Sequence, residues 1–282
     1  MHAVGFYTAV MDLKLNTNQK PLVMGILNVT PDSFSDGGKY SQGNTAVKRA
    51  LEMLEQGADI IDIGGESSRP GSKRISSQQE IDRIIPVIEQ IRKNSDIPIS
   101  VDTTKASVMK ESIKFKIQII NDISSLSDID SFKILKDKNI YICLMHMKGT
   151  PDNMQDNPEY DDVVMEVSSF LENKIKTCVN RGIPKERLII DPGFGFGKTI
   201  EHNYLLLKNL QKLKDLHKNL LVGISRKSMI GNLLNKDVDQ RLYGSLAATL
   251  ISIYNGANII RTHDIRETKL LLNITRKLKD YN

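Results

Sequence analysis

From residue 22 onward, short runs of apolar, β-branched residues alternate with longer amphipathic stretches. The apolar runs fall at 22–28, 59–64, 97–102, 117–122, 140–146, 188–191, 220–225 and 258–262. Most of their positions are apolar in succession rather than alternately, the pattern of strands covered on both faces. Between them a helical period predicts helices at 45–56, 77–93, 161–181, 203–216, 241–255 and 265–279, with weaker periodicity at 105–114 and 128–138. Eight strand–helix units in 282 residues fit an α/β chain folded as one (β/α)8 TIM barrel, for which about 250 residues is typical. A doubly wound open sheet is the alternative, since periodicity does not reveal closure. No Pro-rich or Gly/Ser-rich linker divides the chain, so residues 21–282 read as one barrel domain behind an appended N-terminal segment, 1–20.

The apolar runs end in polar residues: Asn28, Asp62, Asp102, Asn121, His146, Asp191, Ser225 and the pair Arg261 and His263. One such residue is readily a cap or a turn former. Eight of them at strand C-termini would share one rim of a barrel, where active sites are built. This favours an enzyme.

Composition narrows the class. With 40% hydrophobic and 26% charged residues the chain is neither disordered nor fibrous. The net charge of +5 comes from basic residues spread along the helices, with no arginine-rich tract, which disfavours a nucleic-acid partner. The longest uncharged run, between Arg241 and Arg261, contains Ser245, Thr249, Ser252, Asn255, Gly256 and Asn258, and reads as a buried helix and strand rather than a membrane span. No basic residue precedes Lys14, which disfavours a secretory or transit peptide and places the chain in the cytoplasm. Cys143 and Cys178 read as buried, inert thiols, as suits a reducing compartment.

Five segments carry candidate chemistry. The stretch 191–199, Asp-Pro-Gly-Phe-Gly-Phe-Gly-Lys-Thr, misses the Walker spacing by one residue and has Lys198 where a dinucleotide fingerprint needs glycine. Its glycines suit close approach of backbone to a flat ligand presented to Asp191. Polar, glycine-bearing loops follow the first two strands, at 28–38 and 64–71. Arg261 and His263, with Ser225, Arg226, Lys227 and Ser228, form a basic corner able to hold a diphosphate. No Cys/His group has zinc spacing, and oxygen ligands beside phosphate point to Mg²⁺.

In these stretches, together with 24–40, 100–103, 121–122 and 144–149, the chain resembles the bacterial dihydropteroate synthases, in the family's order from residue 21 to the end. The resemblance implies a (β/α)8 enzyme that joins p-aminobenzoate to a dihydropterin pyrophosphate, releases pyrophosphate, uses Mg²⁺ and forms a homodimer through helices late in the barrel. It places the pterin against Asp102, Asn121, Met145, Asp191, Phe196, Gly223 and Lys227. It assigns the diphosphate to Asn28, Ser68, Arg261 and His263, and the Mg²⁺ to Asn28. Phe34, Arg69, Pro70, Lys227 and Ser228 would surround the aminobenzoate. Asp36, Lys227, Arg261 and His263 would serve the reaction itself, and no protein nucleophile is implied. Position 68 departs from the pattern, carrying Ser where the family usually has Thr. Two other readings share the pterin pocket: a methyltetrahydrofolate-using corrinoid methyltransferase, which has no need of the diphosphate groups, and a non-catalytic pterin binder, which would have lost Asn28 or Arg261.

Overall fold

The computed structural model describes residue 15 and residues 20–30, 39–68 and 71–279. Eight strands run parallel: β1 (Leu22–Asn28), β2 (Ile60–Gly64), β3 (Ile99–Asp102), β4 (Ile119–Asp122), β5 (Tyr141–Met145), β6 (Leu188–Asp191), β7 (Leu221–Val222) and β8 (Ile259–Thr262). Their order is β6-β5-β4-β3-β2-β1-β8-β7. A parallel bridge between Ile190 and Leu220 brings β6 beside β7 and closes the ring, which decides for the barrel over the open sheet.

Helices follow the strands: α1 (Lys39–Glu55), α2 (Ser77–Asn94), α3 (Ala106–Ile113), α4 (Ile129–Leu135), α5 (Val163–Asn180), α6 (Ile200–Lys208), α7 (Leu210–Leu216), α8 (Ser228–Leu234), α9 (Leu242–Tyr254) and α10 (Ile265–Lys279). Local chemistry sets several of their ends. Ser76 and Gln79 form a capping box on α2, and the Asp162 carboxylate accepts from the Val164 and Met165 amides at the start of α5. The helix expected over 203–216 divides at Asn209, whose Nδ2 donates to Leu205 O at 2.9 Å. That contact gives the turn a side-chain partner where the backbone leaves helical angles. The strand expected over 220–225 is only two residues long, and the short α8 that follows was not evident from periodicity. No helix among the described residues is long and apolar enough to cross a membrane.

The two-residue strand period sorts side chains into two cores. Val23, Leu27, Ile61, Ile63, Ile99 and Val101 face the helices. Met24, Ile60, Ile119, Cys143, Ile189, Leu221 and Ile259 point into the barrel and, with Leu15, fill its floor. Two residues further along the same strand faces stand Asp62, Asn121, Met145, Asp191, Gly223 and Arg261. An apolar plug with a polar layer above it, toward the strand C-termini, follows directly from that period.

Candidate active site

Arg261 joins the polar layer. Its Nε donates to Asp62 Oδ2 at 2.7 Å and its Nη2 to Asp102 Oδ2 at 2.8 Å. Asn121 Nδ2 donates to the same Asp62 oxygen at 3.2 Å, while Asp62 Oδ1 is buried without a partner. Two carboxylates thus share one guanidinium. Burial pushes the Asp102 carboxyl up to about 7, with Arg261 opposing and Asp62 reinforcing the rise. The same carboxylates hold the Arg261 guanidinium above its ordinary value despite its burial.

The loop after β6 forms the adjoining wall. Asp191 Oδ1 accepts from the Gly193 amide at 2.7 Å, and burial raises its carboxyl against the opposing pull of Lys227. Lys227 Nζ donates to Phe194 O and lies 4.6 Å from the centre of the Phe196 ring. Burial pushes its ammonium down to about 8, with Asp191 opposing. Behind this wall Lys198, 3% exposed, meets His146 Nδ1 at 2.9 Å, Gly193 O at 2.9 Å and Phe196 O at 3.0 Å. Burial brings Lys198 down to about 7 and His146 down to about 3, so His146 is a neutral packing partner rather than a rim ligand.

At the rim, Ser225 Oγ lies 3.0 Å from His263 Nδ1. Arg226, expected in the basic corner, is instead paired with Asp264 through Nε at 3.0 Å and through Nη2. Gly223 ends the short β7 run with room for Arg261, whose Cβ would lie 3.6 Å from a Cβ there. Ser228 opens α8 and is exposed. Ser68, Asp102 and Met145 line a cleft of about 560 Å³ that runs out between the loops following β2 to β5. The base of the loop after β2 is pinned: Glu66 accepts from the Ile75 amide at 2.7 Å, and Lys105 pairs with Glu66 at 2.9 Å and Glu80 at 2.5 Å. Phe34, Asp36, Arg69 and Pro70 lie outside the described residues.

No group of three or more His, Cys, Asp or Glu side chains able to hold a metal is found among the described residues. Mg²⁺ does not need such a cage, since it keeps water and substrate phosphate oxygens among its ligands. Asn28 Oδ1 and the Asp102 side chain flank Gly64, where a Cβ would stand 3.8 Å and 3.5 Å from them. The missing side chain leaves that space open, and one amide oxygen beside it fits an ion carried in with a diphosphate.

The site therefore gathers Asp102, Asn121, Met145, Asp191, Phe196, Lys227 and Arg261 at one mouth, with Asn28, Ser68, Gly223 and His263 on strands or loops at the same end. Asp62, expected only as a strand-end residue, and Lys198, Glu66, Lys105 and Glu80, expected to have no role, also belong to the site or its support. For Asp62 the signal was present: it stands two residues beyond Ile60, on the inward face. Lys198 had no such signal, because its partners are backbone carbonyls distributed over two loops.

Residues 24–263 match the model of a family described as pterin binding enzyme. The dihydropteroate synthase of Escherichia coli strain K12 is 51% identical over 248 residues, which span 88% of each chain. The crystal structure of the Yersinia pestis dihydropteroate synthase in a sulfonamide drug complex superposes with a TM-score of 0.89, at 46% identity, covering 97% of this chain and 99% of that one. The Xanthomonas albilineans dihydropteroate synthase with 4-aminobenzoic acid gives a TM-score of 0.88 at 42% identity, covering 95% of both chains.

Proposed function

The chain belongs to the dihydropteroate synthases among the pterin-binding enzymes, and on that premise we propose that it condenses 6-hydroxymethyl-7,8-dihydropterin pyrophosphate with p-aminobenzoate, giving 7,8-dihydropteroate and pyrophosphate. The observation that carries this reading is the polar layer on an apolar floor: Asp102, Asn121 and Asp191 on inward strand positions, with Arg261 and Lys227 between them. A flat amino-pyrimidinone ring offers several N–H donors on one edge and carbonyl and ring-nitrogen acceptors beside them. Buried carboxylates next to an amide and an ammonium answer both, and a ring lacking those groups would leave them unpaired at a cost of several kcal/mol, roughly 1–3 for each group.

The bond between the pterin methylene and the diphosphate breaks with its electron pair leaving on the diphosphate. Arg261 and His263 are proposed to receive that charge. The methylene is left cationic, stabilised by conjugation with the ring. The neutral arylamine forms the new C–N bond and then loses a proton. The described residues of the mouth supply carboxylates, an amide and cations, and no nucleophile is required of them. Asn28 would hold Mg²⁺ together with the diphosphate oxygens, and the ion would contribute charge neutralisation on the leaving group. Phe34, Asp36, Arg69 and Pro70, with Ser228 and Lys227, are proposed to surround the aminobenzoate.

A homodimer through the late helices is part of this reading. Tyr243 and Tyr254 on α9 are 82% and 62% exposed, and Leu270 and Ile274 of α10 are also exposed, apolar surface that a second copy would cover. Sedimentation velocity at micromolar concentration checks it. Two buried, unpaired thiols suit the reducing cytoplasm. The decisive assay is Mg²⁺-dependent pyrophosphate release with and without p-aminobenzoate. Release that requires both supports the synthase. Methyl transfer from methyltetrahydrofolate, or pterin binding without turnover, would replace it.

A further inference from the structure

Residues 193–197 leave β6 without joining a strand or a helix, and each of their five carbonyls accepts from a side chain. Gly193 O and Phe196 O accept from Lys198, Phe194 O from Lys227, Gly195 O from Gln155 at 2.7 Å, and Gly197 O from Tyr160 at 2.7 Å. Gly193, Gly195 and Gly197 all have positive φ, at 67°, 78° and 63°. A segment with three left-handed glycines loses much conformational entropy on ordering and has few side chains with which to recover it by packing. Buried Phe194 fixes one point of it, and polar anchors hold the rest.

Lys198 is the deepest of those anchors. Its Nζ has four acceptors, His146 Nδ1 and the carbonyls of His146, Gly193 and Phe196, the longest contact being 3.4 Å. None of the four is a carboxylate. An ammonium has three protons, so the geometry is that of a cation gathered into neutral dipoles rather than of an ion pair. The oxygens come from two segments, one following β5 and one following β6. These segments lie backbone on backbone: a Cβ at Gly193 would stand 1.9 Å from His146 O. The Lys198 contacts lead directly to the mouth. Gly193, whose carbonyl binds Lys198, donates its amide to Asp191 Oδ1, and Phe196, whose carbonyl also binds it, carries the ring beneath Lys227.

We propose that Lys198 is a positioning residue for pterin binding, a buried amine around whose Nζ residues 193–197 fold so that Asp191 and Phe196 are fixed before ligand arrives. This rests on the reading of the mouth as a pterin site. Lys198 touches no substrate in this account and acts through the two residues it places.

The test compares Lys198→Met, which keeps the stem and removes the charge, with Lys198→Arg, which keeps a buried donor cation. Affinity for the dihydropterin pyrophosphate is measured by calorimetry, and backbone hydrogen exchange of 192–198 is measured without ligand. The Met variant is expected to bind at least ~10-fold more weakly, which is about 1.4 kcal/mol, with faster exchange confined to that segment. The KM for p-aminobenzoate at saturating pterin is expected to stay unchanged, and the Arg variant to recover part of the lost affinity. Gln155→Ala and Tyr160→Phe, which remove the anchors nearer the surface, are expected to have little effect. Wild-type affinity in the Met variant, equal loss in the Gln155 and Tyr160 variants, or failure of both Lys198 variants to fold would overturn the proposal, the last because Lys198 would then support the whole barrel. Wild-type protein that bound no pterin would remove the functional reading instead, and the exchange data would still decide whether Lys198 orders the loop.

Discussion

Asp191 and Ser68 illustrate how much a single polar atom is asked to do at the mouth. Asp191 accepts from the Gly193 amide with one oxygen and is buried beside Lys227. Asp191→Asn exchanges an acceptor for a donor at one of its two oxygens and removes the charge that faces Lys227. Pterin affinity should fall by at least 2 kcal/mol, roughly the cost of leaving a buried charged hydrogen bond unmade, while the melting temperature changes little. Calorimetry with the pterin substrate checks this, and unchanged affinity would remove Asp191 from the pocket. At Ser68, on the wall of the cleft, Ser68→Thr keeps the hydroxyl and adds a methyl, so it should be close to neutral. Ser68→Ala should raise the KM for the pterin pyrophosphate by a factor corresponding to roughly 1–2 kcal/mol. A KM shared by wild type and Ala would make position 68 only a turn residue.

At the scale of elements, alternation along the strands does most of the positioning. Ile60 and Asp62, Ile119 and Asn121, Ile189 and Asp191, and Ile259 and Arg261 are each two residues apart on one face, so the same strand builds floor and site. Where the elements stop is set by contacts that no periodicity contains. The β6 loop is the clearest case, because its shape depends on glycine at close approach. Gly193→Ala combines a φ of 67° with a Cβ 1.9 Å from His146 O and should cost roughly 2–4 kcal/mol, together with pterin binding. Gly182 has a φ of 88° but nothing within 4 Å of a Cβ, so Gly182→Ala should cost only about 1–2 kcal/mol and leave binding intact. Denaturant melts of the two variants side by side separate backbone strain from collision, and equal losses would show that collision contributes nothing.

For the whole molecule, the cluster of charges makes stability depend on pH in opposite senses on the two sides of neutrality. The Asp102 carboxyl is raised to about 7 from 3.8, so between those values the folded protein binds more protons than the unfolded chain and stability falls as pH rises. Lys198 and Lys227 are lowered to about 7 and about 8 from 10.5, so above 7 the unfolded chain binds more protons and stability rises with pH. His146, neutral down to about 3, adds a rising slope below 6.5, so differences between variants isolate each group. Asp102→Asn is expected to gain on wild type between pH 5 and 8, and Lys198→Met to gain relative to wild type as pH falls from 9 to 7. Melting temperatures across pH 5–10 measure both, and parallel curves for wild type and either variant would show that burial does not perturb that group. Much of this site was legible in advance. Asp102, Asn121, Asp191, Lys227 and Arg261 were singled out from strand ends and motifs, and the structure brings them together. Arg226, grouped by its motif with the basic corner, is paired with Asp264, a partner 38 positions away that no local motif contains.

The sequence by itself determined the eightfold alternation of strand and helix, the polar residue at the end of each strand and the family resemblance. Each of these is local, being a period or a motif within a few residues of chain. Tertiary structure decided closure, which turns on one bridge between Ile190 and Leu220, and it decided which polar residues are paired. Arg261 and Asp102 are 159 positions apart, and Arg261 and Asp62 are 199. Lys198 meets His146 across 52 positions for the same reason. A buried charge takes whatever partners the fold brings within about 3 Å, because leaving it unpaired costs more than any local preference can return.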